Sequence, residues 1–139
     1  MAAPVAIVPY QADHFDGLDK LWREAFPDDP ARNRAAIAVP AKLAEQPELL
    51  FVALADGTVV GSIMAGYDGH RGWLYAVAVS ASRQGEGIGR KLVSHAEQAL
   101  KRRGCLKVNL QVREGNLVAG FYRGLGYAEE PRTSMGKEI

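Results

Sequence analysis

A short run of alternating glycines constrains this chain more than any other feature of its sequence. Gly85, Gly87 and Gly89 lie between an apolar run at residues 73–79, which predicts a buried strand, and an amphipathic run at residues 88–103, which predicts a helix. Glycine permits positive φ angles and lets a ligand come close to the main chain. The start of a helix leaves unpaired N–H groups and carries a partial positive charge. The junction therefore predicts a site for a phosphate or pyrophosphate.

Two common nucleotide motifs do not fit this spacing. The dinucleotide-binding fingerprint requires a further glycine at the position of Arg90. The P-loop requires Gly-Lys followed by Ser or Thr, whereas the Gly-Lys pair at residues 136–137 is followed by Glu138. Arg83, Arg90 and Lys91 are expected to add positive charge beside the turn. The turn is thus predicted to hold an anion, and a nucleotide-binding domain becomes the weaker alternative.

The length of the chain and the spacing of its apolar residues predict one domain, residues 1–139, built on a mixed sheet. Apolar or alternating runs predict strands at residues 5–8, 49–55, 58–67, 73–79 and 105–112, with a last extended segment near Met135. Helical spacing predicts helices at residues 13–26, capped by Asp13, at 31–46 with a restart at Pro40, at 88–103, and from 116 or 117 to 124. A hairpin turn at residues 56–57 and a strand–helix–strand crossover together predict helices on both faces of the sheet.

Composition argues against several classes of function. The formal net charge of +1 disfavours a nucleic-acid partner, because such proteins usually carry a strong basic excess. The histidine spacing fits no metal site. Cys105, the only cysteine, opens an apolar strand and is expected in the core rather than as a nucleophile. The chain shows no basic and apolar leader and no apolar run long enough to cross a bilayer, so we expect a cytoplasmic protein without a membrane partner.

The glycine turn also carries a family signature. Residues 84–89, Gln-Gly-Glu-Gly-Ile-Gly, match the Arg/Gln-x-x-Gly-x-Gly/Ala pattern that follows a strand in the GNAT acetyltransferase superfamily. Downstream, Asn116 and residues 121–127 resemble its second signature, an Asn followed by Tyr-x-x-Leu-Gly-Phe/Tyr. Residues 66–73, Gly-Tyr-Asp-Gly-His-Arg-Gly-Trp, resemble a bacterial subgroup of small members. The order of strands and helices is similar to that of the superfamily over nearly the whole chain.

The resemblance implies a fold, a cosubstrate and a set of site residues. The fold is α/β (α+β), with a mixed, mostly antiparallel twisted sheet of six to seven strands and helices on both faces. Acetyl-CoA is the implied acyl donor, no metal is implied, and a small-molecule or protein amine is the implied acceptor. Tyr122 is the implied acid that protonates the departing thiolate. The implied cofactor-binding residues, most of them acting through the backbone, are Val77, Ala78, Val79, Gln84, Gly85, Glu86, Gly87, Ile88, Gly89, Arg90 and Asn116.

Acetylation of an amine makes three demands on such a site. The amine must lose a proton, the thioester oxygen must be stabilised, and the thiolate must leave. A backbone N–H near Val77 suits the oxygen, and Tyr122 suits the thiolate because a phenol is protonated at neutral pH. Glu114 is the best candidate for the base. The weaker candidates are Asp68, His70 and Tyr75, and a water chain or an amine that arrives neutral also suffices.

Alternatives to an N-acetyltransferase remain open at this level. A non-catalytic acyl-CoA-binding or sensing domain would share the glycine turn and would differ at Tyr122 and in lacking an acceptor. The acceptor itself is not readable, because acceptor pockets in this fold come from loops and from the first two helices, which vary freely. A homodimer also stays open, since an extended C-terminal segment is able to pair with a second copy.

Overall fold

The computed structural model describes residues 3–113 and 118–139. Within these ranges one sheet has five strands in the order β1-β2-β3-β4-β5. The first four strands pair antiparallel, and β5 pairs parallel to β4. The predicted mixed, mostly antiparallel sheet is therefore confirmed. The strands are β1 (Val5–Pro9), β2 (Leu50–Ala55), β3 (Thr58–Tyr67), β4 (Gly72–Val79) and β5 (Val108–Asn109).

The helices cover both faces of this sheet. The first two helices follow β1 in the chain, the third connects β4 to β5, and the fourth lies near the C-terminus. Short 3₁₀ turns precede several of them, including Ala81–Arg83 between β4 and the third helix. The helices are α1 (Phe15–Ala25), α2 (Ala35–Glu45), α3 (Ile88–Arg102) and α4 (Ala119–Gly124).

Each face of the sheet has its own hydrophobic core. On one face α3 places Leu92, Val93 and Leu100 against inward side chains of β2, β3 and β4. On the other face α1 and α2 place Leu18 and Val39 against the opposite side of β2 and β3. Because side chains alternate along a strand, the apolar stretch in β2 supplies both cores. The sheet is thus a buried middle layer, as the apolar strands predict.

Local chemistry explains where two of these elements turn or end. Asp56 and Gly57 have φ angles of 49° and 77°, which matches the primed turn that a two-residue hairpin favours. Gly104 ends α3 with a φ of 90°. Its N–H donates to Lys101, and the N–H of Cys105 donates to Leu100 at 3.1 Å, which is the Schellman arrangement. The predicted hairpin turn and the predicted end of α3 at Gly104 are both present.

The sheet differs from the prediction in its strand count. Over residues 3–113 and 118–139 it has five strands rather than six to seven. Of the predicted strand at residues 105–112, only Val108–Asn109 forms, and no strand forms near Met135 within residues 118–139. Side chains make the contacts in this region instead: Asn109 Nδ2 donates to Glu130 Oε1 at 2.8 Å, and Gln111 donates to Ser134. The C-terminal segment therefore follows β5 without a backbone ladder.

Two helix starts also differ from the prediction. Asp13 does not cap α1, whose N-cap is His14 with no side-chain capping bond. The N–H of Gln11 donates to His14 Nδ1 at 3.0 Å in the turn that precedes the helix. The second helix begins at Ala35, after a 3₁₀ turn at Ala31–Asn33, and runs through Pro40 without a break. Ala36 and Pro40 lie on its exposed side, where water can bond to the carbonyl that proline leaves unpaired.

Candidate functional site

The glycine turn joins the end of β4 to the start of α3, as predicted. Gly85 and Gly87 have φ angles of 80° and 82°, and a Cβ on either residue would meet nothing within 4 Å. These two glycines are therefore required by backbone conformation and not by lack of space. Gly89 differs, because a Cβ there would lie 3.2 Å from Phe121 Cζ. Its small size lets α4 approach the first turn of α3.

The N-terminus of α3 is open to an anion. Gly87 is its N-cap and, as a glycine, has no side chain that could make a capping bond. The N–H of Lys91 donates to Gly87 O at 3.1 Å. The N–H groups of Ile88, Gly89 and Arg90 precede that first bond, so they have no acceptor within the helix. They stand at the positive end of the helix dipole, which favours a phosphate group.

The charges around the turn are arranged differently from the prediction. Arg83 does not present a free positive charge, because its Nε donates to both carboxylate oxygens of Glu86, at 3.0 and 2.9 Å. Its Nη2 also donates to Ala3 O at 2.8 Å. The bond from Arg83 lowers the pKa of the Glu86 carboxyl. Arg83 therefore braces the turn, and the exposed Arg90 and Lys91 are the neighbouring cations on α3.

The edge of β4 next to this turn is open on the side of β5. The two strands pair only through Gly72 with Val108 and Trp73 with Asn109. Beyond Trp73, no residue of β4 has a paired partner in the described part of β5. Val77 and Val79 lie in this unpaired stretch, and Gln84 Nε2 lies 3.4 Å from Val79 O. Val79 O already accepts a bond from Gln84, and the rest of this edge of β4 has no paired strand in the described residues, so it is available to an extended ligand arm.

A kink in β4 marks the same stretch. Ala76 has a φ of 50°, and the pairing of β3 with β4 shifts register between Ser62 and Met64. The Ser62 hydroxyl donates to Ala76 O at 2.8 Å, and Trp22 Nε1 donates to Ser62 Oγ at 2.8 Å. The sequence pattern did not predict this network. Its only signal is Ser62 itself, a polar residue inside the apolar run of β3, which must find a partner when buried.

Tyr122 lies on α4, directly after Phe121. Its ring contacts the rings of Phe121 and Tyr127, with centroid distances of 5.0 and 6.0 Å. Phe121 in turn contacts Gly89 and so joins α4 to the start of α3. Burial raises the pKa of the Tyr122 hydroxyl. The hydroxyl therefore keeps its proton at neutral pH, as a proton donor must.

The candidate bases fall into two groups. Glu114, like the cofactor candidate Asn116, lies outside the described residues. Asp68 accepts bonds from the N–H groups of His70 and Arg71, both at 2.8 Å, and these bonds lower the pKa of its carboxyl. Burial raises the pKa of Tyr75, which disfavours the phenolate that a base requires. Asp68 is thus engaged in its turn, and Tyr75 is protonated at neutral pH.

Neither a cluster of metal ligands nor a membrane span occurs in the part of the chain that the structure describes. Residues 3–113 and 118–139 contain no group of three or more His, Cys, Asp or Glu side chains placed to hold a metal ion. In the same residues no helix combines the length and the apolar character needed to cross a membrane. Cys105 is buried in the core on the α3 side, as expected.

Comparisons with known proteins agree with the sequence signatures. A family model described as the acetyltransferase (GNAT) family matches residues 13–127. An acetyltransferase of Yersinia pestis (strain Pestoides F) is 39% identical over 133 residues, covering 94% of this chain and 92% of the relative. The aminoglycoside N-acetyltransferase AAC(6')-Iy, solved with CoA, has a TM-score of 0.79 at 19% identity, over 99% of this chain and 97% of its own. Ard1 from Thermoplasma volcanium has a TM-score of 0.80 at 20% identity, over 89% and 82% of the two chains.

Proposed function

Because this chain belongs to the acetyltransferase (GNAT) family, a family of enzymes, we propose that it moves an acetyl group from acetyl-CoA to an amine by direct attack. The predicted family and enzyme class are confirmed by the family match and by the Yersinia pestis relative. The cosubstrate, the mechanism and the acceptor are the proposal. The carrying observation is that Phe121, which precedes Tyr122 on α4 and contacts its ring, lies over Gly89 in the first turn of α3, where a Cβ would also lie 3.8 Å from Val79 Cγ2 on β4.

Acetyl-CoA fits the order of groups along this site. Its pyrophosphate binds the N–H groups of residues 85–90 at the start of α3, where the helix dipole favours negative charge. Its pantetheine arm lies along the unpaired edge of β4 and bonds to the backbone of Val77 and Val79. The CoA bound to AAC(6')-Iy supports this choice of ligand. Gln84, Glu86 and Asn116 are further proposed contacts. Ala78 is paired with Ser62 of β3 and its side chain is buried in the core with α1 and α2, so it holds β4 in place beside the arm.

The reaction then proceeds without a covalent enzyme intermediate. The neutral amine attacks the thioester carbon, the N–C bond forms and the C–S bond breaks. The N–H of Val77 stabilises the negative charge that develops on the carbonyl oxygen. The Tyr122 hydroxyl gives its proton to the departing CoA thiolate. Glu114, directly or through water, is the proposed acceptor of the amine proton. The acceptor is a small molecule or a protein that carries a primary amine.

The test is the release of free thiol from acetyl-CoA in the presence of a panel of primary amines and of peptides with free N-termini. The Tyr122→Phe variant removes only the proposed acid. We expect kcat to fall about 100-fold or more, which is typical of the loss of a general acid. CoA affinity, measured by calorimetry, should stay the same. Tyr127→Phe is the matched control, because it removes a hydroxyl that donates to Glu97 at 2.6 Å and leaves the Tyr122 hydroxyl in place.

Each part of the proposal has an outcome that contradicts it. If Tyr122→Phe turns over as fast as the original protein, Tyr122 is not the acid. If acetyl-CoA binds but no amine releases thiol, the chain is an acyl-CoA sensing domain instead. A thermal shift that is larger with ATP or NAD than with CoA would point to a nucleotide-binding domain. A ligand at 100 times its Kd should stabilise the fold by about 2.7 kcal/mol.

A further inference from the structure

At the kink in β4, an alanine adopts a backbone conformation that usually requires glycine. Ala76 has a φ of 50°, in the left-handed region. The register shift gives β4 one more residue than β3 between the pairs Ser62–Ala78 and Met64–Tyr75. Such a bulge re-aims the backbone groups of the strand that carries it. Because the conformation costs free energy at alanine, the surrounding structure must hold it.

A buried hydrogen-bond chain supplies that support. Ser62 is 0% exposed and Trp22 is 4% exposed. The indole N–H of Trp22 can only donate, so it takes a lone pair of the Ser62 oxygen and leaves the hydroxyl proton free for another acceptor. That acceptor is Ala76 O, at 2.8 Å. The two hydrogen bonds therefore donate in one direction, from Trp22 on α1 to Ser62 on β3 and from Ser62 to the Ala76 carbonyl at the bulge.

The direction of this carbonyl fixes the direction of the next amide. None of the described peptide bonds is cis. In a trans peptide the C=O and the following N–H point in opposite directions. The Ala76 carbonyl is turned toward Ser62 and the α1 side, so the N–H of Val77 is turned away from that side. Val77 lies on the stretch of β4 that β5 leaves unpaired.

We propose that Ser62 and Trp22 are positioning residues, which hold the Val77 N–H in the orientation that binds the thioester oxygen of acetyl-CoA. The inference depends on the proposed function, because it needs acetyl-CoA in the β4 slot. It adds to that function a reason for the geometry of the oxygen site. The orientation of the Val77 N–H is thus held by a residue of α1, which packs on the opposite face of the sheet from α3.

The test compares affinity for acetyl-CoA with affinity for CoA, because only acetyl-CoA has the thioester oxygen. Ser62→Ala removes the donor to Ala76 O. We expect the ratio of the two affinities to shift against acetyl-CoA by about tenfold, the size of one lost hydrogen bond. Affinity for CoA should stay within about twofold, since the pyrophosphate site on α3 is untouched. In the same variant kcat should fall, and the Val77 amide resonance should shift in the free protein.

Two further variants separate positioning from stability. Trp22→Phe removes the indole donor and keeps the Ser62 hydroxyl, so a smaller shift of the ratio, about threefold, is expected. It also serves as the test if Ser62→Ala does not fold. Val39→Ala is the control, because Val39 packs in the same core as Trp22 and makes no contact in the chain of bonds. It should lower Tm and leave the affinity ratio unchanged.

The possible results lead to different conclusions. If the original protein binds acetyl-CoA, and Ser62→Ala and Trp22→Phe both keep its ratio of acetyl-CoA affinity to CoA affinity, the positioning role is wrong and the proposed function stands. If the Val39→Ala variant shifts the ratio as much as Ser62→Ala does, the effect is general destabilisation and the positioning role is again wrong. If the original protein binds neither acetyl-CoA nor CoA, the proposed function fails and this inference fails with it.

Discussion

Individual glycines show how one residue type meets different physical demands. Gly85 and Gly87 adopt positive φ angles in open space, whereas Gly89 is limited by Phe121. Gly61 shows a third case, since a Cβ there would lie 3.0 Å from Leu92 Cδ1 and 3.2 Å from Ala53 Cβ. The first demand is local and readable from the spacing. The other two depend on neighbours from distant parts of the chain.

Replacing Gly87 by alanine should test the local demand alone. Gly87→Ala forces a side chain into the left-handed region, so the free energy of unfolding should fall by about 1–2 kcal/mol. Gly120→Ala is the matched control, because Gly120 lies in α4 without a positive φ, and a Cβ there would meet nothing within 4 Å. It should raise the free energy of unfolding by up to about 1 kcal/mol. Urea unfolding measures both, and equal effects in the two variants would contradict the backbone argument.

Among the elements, α2 is attached to the sheet by polar side chains as well as by its apolar face. Lys42 Nζ donates to Ala65 O, and Gln46 Nε2 donates to Tyr67 O at 2.8 Å. The N–H of Tyr67 donates back to Gln46 Oε1 at 3.1 Å. Side chains at the end of α2 thus bond to backbone groups of β3 that lie beyond its pairing with β2. Burial, with a smaller contribution from Arg103, lowers the pKa of Lys42 to about 8.

The lowered pKa of Lys42 predicts a pH dependence of stability. The folded state loses the Lys42 proton near pH 8, whereas the unfolded chain keeps it until about pH 10.4. Between these values the unfolded state binds more protons, so this residue makes the free energy of unfolding rise with pH. Lys42→Met should remove that rise. Urea unfolding of both proteins from about pH 7 to pH 9.5 gives the difference, and parallel curves would show that Lys42 does not titrate in this way.

Element boundaries show what local patterns can and cannot predict. Strand β3 and the start of α3 at Ile88 lie where the pattern put them, because a hairpin turn and a glycine cap define them locally. Strand β5 shrinks from residues 105–112 to Val108–Asn109. Strand propensity marks a segment that can pair, but a ladder also needs a partner backbone within reach. Only the two residues opposite Gly72 and Trp73 have one.

At the scale of the whole molecule, two cores share one sheet. Val39 on α2 and Val93 on α3 are buried on opposite faces. We propose that residues 1–139 form a single cooperative unit, because the strands of the middle layer contribute to both cores. A substitution in either core should therefore destabilise the same unfolding transition.

A double substitution tests whether the two cores unfold together in one transition. Val39→Ala and Val93→Ala should each lower the free energy of unfolding by about 1–2 kcal/mol. The double variant should lose the sum of the two, because the side chains share no contacts, and should still unfold in one transition. Leu106→Ala is the control, since Leu106 is 97% exposed and should change stability by less than about 0.5 kcal/mol. Two separate transitions, followed by circular dichroism and tryptophan fluorescence, would contradict the single unit.

The sequence by itself determined the features that neighbouring residues control: the glycine turn, the hairpin at Asp56-Gly57, the capped end of α3 and the family signatures. Only the tertiary structure decided which distant groups meet. Trp22 and Ser62 are 40 residues apart in the chain and form one hydrogen bond. The contact of Phe121 with Gly89 and the left-handed Ala76 likewise depend on packing between elements. The physical reason is that backbone propensity acts over a few residues, whereas burial and hydrogen-bond satisfaction are properties of the assembled layers.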